Sequence, residues 1–380
     1  MRLIYPLLWS RLGRKADQEQ AVSTAAAFAR AGADVTLIMP RGPNDPALDA
    51  DAVRAWFQVD GGFALVQRRT SFRGVRFPMS ALWWLEVARS RRVRGADLLY
   101  SRMPAALAGG GASPVPFAVE HYQPWPDRLP VLRPMIRRTA RRPHCLGFIL
   151  HSAFAAESYR RIGVPEEKLL VAHNGVDLAR VLPRRTPAEA RAALGLDEGR
   201  PVALYAGRLS RRKGLDQLLA MARLRPEIRF VLVGSEGEGE VERAAAGLAN
   251  VEVRPWAEPD ILPLWLQAAD ILVIPPSSAP LRRFGDCVLP LKTFAYLAAG
   301  RPILAPRSPD TAELLRDGET ARLVAPDEPE AAAEALAALV ADVGLRQRLG
   351  ESAAALAETL TWDKRAERIL GFLERRLDRS

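Results

Sequence analysis

The stretch PVALYAGRLSRRKGLDQLLAMARL, residues 201–224, decides the fold. Val202–Tyr205 is an apolar run of the length of one buried strand. Ala206 to Gly214 is a basic loop, and Leu215–Leu224 reads as a helix. A buried strand feeding a helix through a short loop is half of a βαβ unit, the building block of a parallel sheet.

Outward from it the same alternation continues. On the C-terminal side come Phe230–Val233, Val241–Leu248, Val251–Arg254, Leu262–Ala268 and Ile271–Ile274. An apolar helix after Pro290 follows, ended by Gly300 and leading into strand Ile303–Ala305. Leu345–Leu377 reads as helical and charged. On the N-terminal side, Leu169–Ala172 is a strand, His173–Asp177 a turn, and Leu182–Pro187 a basic stretch entering a helix near Leu194-Gly195. The chain opens with its own βαβ unit. Leu3–Leu8 is a strand and Ser10–Arg14 a polar turn. Ala16–Ala31 is a helix with Ala21, Val22, Ala25, Phe28 and Ala29 on one face, and Asp34–Met39 is a strand closed by Pro40. Leu98–Tyr100, Phe117–Glu120 and Gly147–His151 are further strands. The reading is α/β, two Rossmann-like parallel-sheet domains. Residues 1–175 form the first, 176–360 the second, and 361–380 a helix crossing back onto the first.

At 380 residues the chain has length for two or three domains of roughly 150 residues each. With 48% hydrophobic and 26% charged residues it is neither disordered nor fibrous. No apolar run reaches the roughly 18 residues of a membrane span. Leu3–Trp9 is too short for a secretory h-region, which points to a cytoplasmic protein. Cys145 and Cys287 have neither disulfide nor metal-ligand spacing, and no metal site is expected.

Charge is uneven. Residues 1–170 carry 25 Lys and Arg against 14 Asp and Glu, and the remainder carries 29 against 30. An Arg-rich genome would explain the choice of Arg but not its placement, so the first half is expected to face something anionic. Phe77–Val93, with Trp83, Trp84 and several Arg, and Leu129–Arg142, with Arg137, Arg138, Arg141 and Arg142, suit an anionic membrane interface. The inner face of the membrane is thus a peripheral location for the chain. Nothing matches a nucleic-acid reading motif.

Three loops could carry chemistry. In Gly207–Gly214, Gly207 admits a ligand to the backbone, while Arg208 and Lys213 can close on one phosphate. Only five residues of the chain are Lys; one lies here and another, Lys292, in the next loop. In Pro290–Ile303, the turn Pro290-Leu291-Lys292-Thr293 opens a helix whose first backbone donors can meet an anion. The third, Gly234–Gly239, follows a strand but lacks dinucleotide spacing, and no P-loop is present.

These motifs in this order resemble the family 4 glycosyltransferases, retaining enzymes of the two-domain GT-B fold. The carriers are "HNGVD" at His173–Asp177, Gly207-Arg208 with Lys213-Gly214, Leu232-Val233-Gly234, Ala269-Asp270 with Ile274-Pro275, "PLKTFAYLAAGRP" at Pro290–Pro302, and Thr361-Trp362. The resemblance implies two domains facing a cleft, an acceptor side in the first and a nucleotide-sugar site in the second. Arg208 and Lys213 would hold the donor diphosphate and stabilise the departing phosphate. Gly207, Gly234 and the Pro290, Leu291, Lys292 and Thr293 turn would complete its binding site. Tyr100, Ser101, Arg102, Glu120 and His121 end strands of the first domain and would face the acceptor, with His121 near the transferring sugar. The family's two Glu positions, counted back from Gly300, fall on Cys287 and Ala295, making this a "PLK" variant without that pair. Asp286 is the nearby carboxylate that could reach the site.

The implied function is transfer of a hexose from a nucleotide-diphosphate sugar to a glycan or lipid-linked acceptor, with retention, in envelope polysaccharide or glycolipid assembly. No other cofactor is implied. Within enzymes the rival is a sugar-nucleotide epimerase of the same fold. The rival of another class is a non-catalytic homologue that binds a glycan or acts as a scaffold, for which Ala295 speaks.

Overall fold

The computed structural model describes residues 1–70, 79–109, 113–196, 199–280 and 289–378. They form two compact units, Met1–Asn174 with Trp362–Ser380, and Gly175–Thr361.

The first unit is built on seven strands: β1 (Arg2–Pro6), β2 (Asp34–Arg41), β3 (Ala64–Arg69), β4 (Leu98–Ser101), β5 (Phe117–His121), β6 (Cys145–Leu150) and β7 (Leu169–Val171). Their order is β3-β2-β1-β4-β5-β6-β7, with every pair parallel. Chain order therefore reverses between β1 and β4. Strands β4, β5 and β6 are buried at every residue. Such strands, covered on both faces, read as unbroken apolar runs. The unexpected strand is β3, a half-exposed edge ending in Arg68 and Arg69, which has no such run.

The second unit carries β8 (Val202–Ala206), β9 (Arg229–Ser235), β10 (Val251–Pro255), β11 (Ile271–Val273), β12 (Ile303–Pro306) and β13 (Arg322–Val324). The order β10-β9-β8-β11-β12-β13 is again all parallel and reverses between β8 and β11. Val202, Leu204 and Ala206 pack on one face with Phe294 and Leu297, while Ala203 and Tyr205 pack on the other with Leu219 and Phe230. That is the two-residue period of a strand buried on both sides. The short strand β13 was not anticipated either.

The charged C-terminal stretch is two helices, Val343–Thr359 and Trp362–Leu377. Between them the Leu360 carbonyl accepts the Val176 amide at 2.9 Å, and Thr361 bridges Val176. Leu360 itself leaves helical backbone angles, at φ −114° and ψ 48°, so the first of the two helices ends there. The first helix belongs to the second unit and the last to the first.

Trp83 and Trp84 correct the membrane reading of Phe77–Val93. Both are fully buried, and Trp83 Nε1 donates to the Leu7 carbonyl at 2.9 Å. Phe77 lies outside the described residues. Among the described residues no helix is long and apolar enough to cross a membrane.

Candidate functional site

The loop after β8 meets both of its neighbours in the sheet. Gly207 has φ +136°, and its amide donates to the Val233 carbonyl at 2.8 Å. Gly234, near the end of β9, has φ +128°, and a Cβ built on it would lie 2.4 Å from the Gly207 carbonyl oxygen. The two backbones press together where no side chain fits. Farther along, Arg211–Lys213 forms a 3-10 turn ended by Gly214, whose Cβ would lie 2.3 Å from Ser277 Cβ, beyond β11. The loop thus straddles the point where strand order reverses, which is where open α/β sheets bind ligands.

Lys292 comes to this point from the helix Leu291–Ala299, preceded by Pro290 as its N-cap. Its ammonium stands 3.6 Å from the centre of the Tyr205 ring and would be 2.8 Å from a Cβ on Gly207. Tyr205 donates its hydroxyl to the Arg208 carbonyl at 3.0 Å, and the Tyr296 hydroxyl accepts the Ala206 amide at 2.7 Å. These two tyrosines hold the loop and the helix to the end of β8. Burial, and secondarily the charge of Lys213, push the Lys292 ammonium well below its ordinary pKa. Burial and a like charge both disfavour the protonated form of a lysine, and a nearby anion favours it. The buried Thr293 hydroxyl has no hydrogen-bond partner among the described residues. Its amide is engaged, donating to the Pro290 carbonyl at 3.0 Å, so it is not one of the turn's open donors. Leu291 is half-buried beside it.

Arg208 stands differently from expectation. It is paired with Glu236 at 3.1 Å, both side chains about half exposed, so the pair is screened and weak. Glu236 belongs to the Gly234–Gly239 turn, and nothing in its spacing announces the pairing. Asp286 and Cys287 lie outside the described residues. Ala295 is half-buried and packs against the apolar core on its side of the sheet.

In the first unit, the ends of β4 and β5 are packed among neighbouring elements. Tyr100, Ser101, Glu120 and His121 are all buried. Glu120 accepts from the Tyr100 hydroxyl at 2.8 Å, from Gln20 Nε2 at 2.5 Å, from His151 Nε2 and from Arg365. Burial would raise this carboxyl, but Arg365 and the His151 hydrogen bond hold it well below the carboxylate range. Its chain neighbour His121 points to the opposite face of the sheet, as strand geometry requires. There Nδ1 lies 2.6 Å from the Tyr159 hydroxyl, and the buried Nε2 is unpartnered among the described residues. Burial lowers its pKa to about 3, so the ring is neutral. Tyr159, His151 and Arg365 were not singled out in the sequence, because each acts through a neighbour remote in the chain.

Two family models match the chain: Glycosyltransferase Family 4 over residues 18–180 and Glycosyl transferases group 1 over residues 200–342. The D-inositol 3-phosphate glycosyltransferase of Streptomyces scabiei is 35% identical over 229 residues, covering 56% of this chain and 50% of that protein. The chain spans about half the length of the curated relatives it matches. Sucrose-phosphate synthase from Thermosynechococcus elongatus superposes with a TM-score of 0.76 at 19% identity, covering 100% of both chains. Anabaena HepE, solved in complex with UDP, gives 0.74 at 19% identity, covering 99% of this chain and 100% of that one. At that identity the likeness is one of fold, the GT-B class of two Rossmann-like parallel-sheet domains. Matched in both halves by these models and folded in that class, the chain belongs to the family 4 glycosyltransferases.

Proposed function

We propose that the chain moves a hexose from a nucleotide-diphosphate sugar to a glycan or lipid-linked acceptor, with retention, in envelope polysaccharide or glycolipid assembly. One observation carries this reading: Lys292, destabilised as a cation by burial and by Lys213, stands at the glycine-walled end of β8. A diphosphate there relieves the repulsion between the two ammonium groups and receives the fork of Arg208 once it leaves Glu236. The same charges then stabilise the phosphate as it departs from the sugar. Gly207 and Gly234 give the phosphates access to the backbone, and the Pro290–Thr293 turn closes the site. His121 serves the sugar or the acceptor from the first unit.

The acceptor belongs to the basic first unit. Arg137, Arg138 and Arg141 are exposed near the exposed apolar Leu129 and Val131, a combination that suits an anionic membrane surface holding a lipid-linked acceptor.

The test is a thermal-shift panel of nucleotide diphosphates and nucleotide sugars. One nucleotide class is expected to raise the melting temperature with concentration, by mass action on the native state, and Lys213→Ala to abolish the shift. Absence of stabilisation by every nucleotide at millimolar concentration would overturn the reading.

A further inference from the structure

Arg102 crosses the point where the strand order of the first sheet reverses. It follows β4, and its Nη1 donates at 2.9 Å to the carbonyl of Asp17, in the first turn of the helix Ala16–Arg30 that follows β1. The crevice between two such strands, at their carboxyl ends, is where an open parallel sheet takes a ligand. Gln18 pins its wall: the side-chain oxygen accepts the Gly13 amide at 2.8 Å, and the nitrogen donates to the Arg11 carbonyl at 3.1 Å. The charges around the crevice do not balance. Arg11 is paired with Asp45 at 2.5 Å, but among the described residues no carboxylate pairs with Arg102. Glu120, whose charge reaches Arg102, is already paired with Arg365 at 2.6 Å. His151 and His121 are neutral, and burial keeps Tyr5 and Tyr100 protonated. Two guanidinium groups thus share one buried carboxylate. The Tyr5 hydroxyl at the end of β1 is wholly buried beside Arg102. A guanidinium only donates, so the phenol hydrogen has no acceptor among the described residues.

We infer that Arg102 is the anchor for an anionic group, phosphate or carboxylate, carried by the acceptor into the crevice between β1 and β4. Nη1 is committed to the Asp17 carbonyl. Nε and Nη2 form the opposite edge of the fork, which matches two oxygens of such a group. An anion there answers the second guanidinium and brings acceptor oxygens to a wall that offers donors. A neutral glycan of the same shape leaves the guanidinium desolvated without a partner, so the site selects against it. That the anion belongs to an acceptor rests on the transferase reading above; the anion site does not.

The full chain labelled with 15N-histidine is titrated with inorganic phosphate, with glucuronate and, as the uncharged counterpart, with glucose. Lys213→Ala in the same chain weakens phosphate binding in the second unit. The His151 ring, lowered by burial and then by Arg365 and Arg102, senses the charge at this site. His151→Gln identifies its signals among the four histidines. A saturable shift of those signals is expected with phosphate or glucuronate and none with glucose; the tighter anion names the group. Arg102→Met should weaken that anion roughly tenfold to hundredfold, the worth of charge-assisted hydrogen bonds, and Arg102→Lys should restore part of the loss. No saturable shift with either anion at millimolar concentration, or equal affinity in Arg102→Met, overturns the inference. Should Arg102→Met fail to fold, the titration of the parent chain and Arg102→Lys decide. With Lys213 intact, transfer to octyl glucuronide or octyl phosphoglucoside should exceed transfer to octyl glucoside. That preference should vanish in Arg102→Met while the KM for nucleotide sugar holds. A preference kept in the variant overturns the assignment of the anion to the acceptor. An anion that binds at Arg102 in a chain that transfers no sugar supports the site and counts against the transferase reading only.

Discussion

Arg365 of the last helix reaches Glu120 on β5 at 2.6 Å, 245 positions away in sequence, and both side chains are almost wholly buried. The same guanidinium donates to Thr24 Oγ1 at 3.2 Å, so it also touches the first helix. Desolvating two charges costs much of what their attraction returns, so the pair defines where the last helix sits more than it stabilises the unit.

Breaking it from one side is another matter. Arg365→Leu leaves the Glu120 carboxylate buried without its cation and should cost about 3–5 kcal/mol in urea unfolding. The double variant Glu120→Gln with Arg365→Leu should lose less than the two singles combined, because the orphaned charge is gone. Strict additivity in that cycle would sink the argument.

Acid should weaken the first unit before its carboxylates titrate. His151 and His121 are lowered by burial from 6.5 to about 4 and about 3. Between those values and 6.5 the unfolded chain binds more protons than the native one, so stability rises with pH through that window and levels above it. For His151 the loss by pH 4 is on the order of 3 kcal/mol. Glu120, with its lowered pKa, gives up its contribution only at still lower pH. Urea midpoints from pH 7 to 4.5 should fall, and His151→Gln, which keeps a donor toward Glu120, should flatten the slope. An equal slope in the variant would refute this.

The two glycines of the crevice should respond differently to alanine. At Gly234 the new Cβ meets a backbone carbonyl that cannot step aside, at Gly207 the end of a flexible lysine. Gly234→Ala is expected to lose stability by more than the ~1–3 kcal/mol of an unfavourable φ alone. Gly207→Ala should keep more of its melting temperature and lose nucleotide affinity as Lys292 is displaced. Calorimetric titration beside a melting curve separates the two, and identical losses of stability would contradict the geometry.

Glu236 competes for Arg208. Removing it with Glu236→Gln should tighten diphosphate binding severalfold or less, the scale of an exposed ion pair. The gain should vanish in an Arg208→Ala background. Weaker binding in the single variant would mean that Glu236 itself contacts the ligand.

Lys292 predicts a pH dependence of its own. Its protonated form attracts the diphosphate, so affinity should fall as pH rises through its lowered pKa, and binding below the ordinary lysine range should take up a proton. Titrations in buffers of different ionisation enthalpy read that uptake directly. Lys292→Met should abolish it; uptake persisting in the variant would assign the proton elsewhere.

Much of this was legible in the sequence because buried parallel strands are apolar without interruption. Strands β1, β2, β5, β6, β8, β9 and β11 could be read from their runs alone, and the glycines and lysines of the two loops stood out against an Arg-rich chain. The edge strand β3, half-exposed and ending in two arginines, offered no run to read. Adjacent tryptophans suggested an interface; only packing showed both inside.

By itself, then, the sequence determined the alternation of strand and helix, the glycine positions at the end of β8 and β9, and the family those motifs belong to. These are local properties, set by periodicity and by backbone angles within a few residues. The tertiary structure alone decided that Arg208 rests on Glu236, that Lys292 stacks on Tyr205, that Glu120 answers Arg365, and that His121 is held by Tyr159. Each of these is a pairing across separate elements, and its chemistry follows from burial and distance, which a linear pattern does not carry.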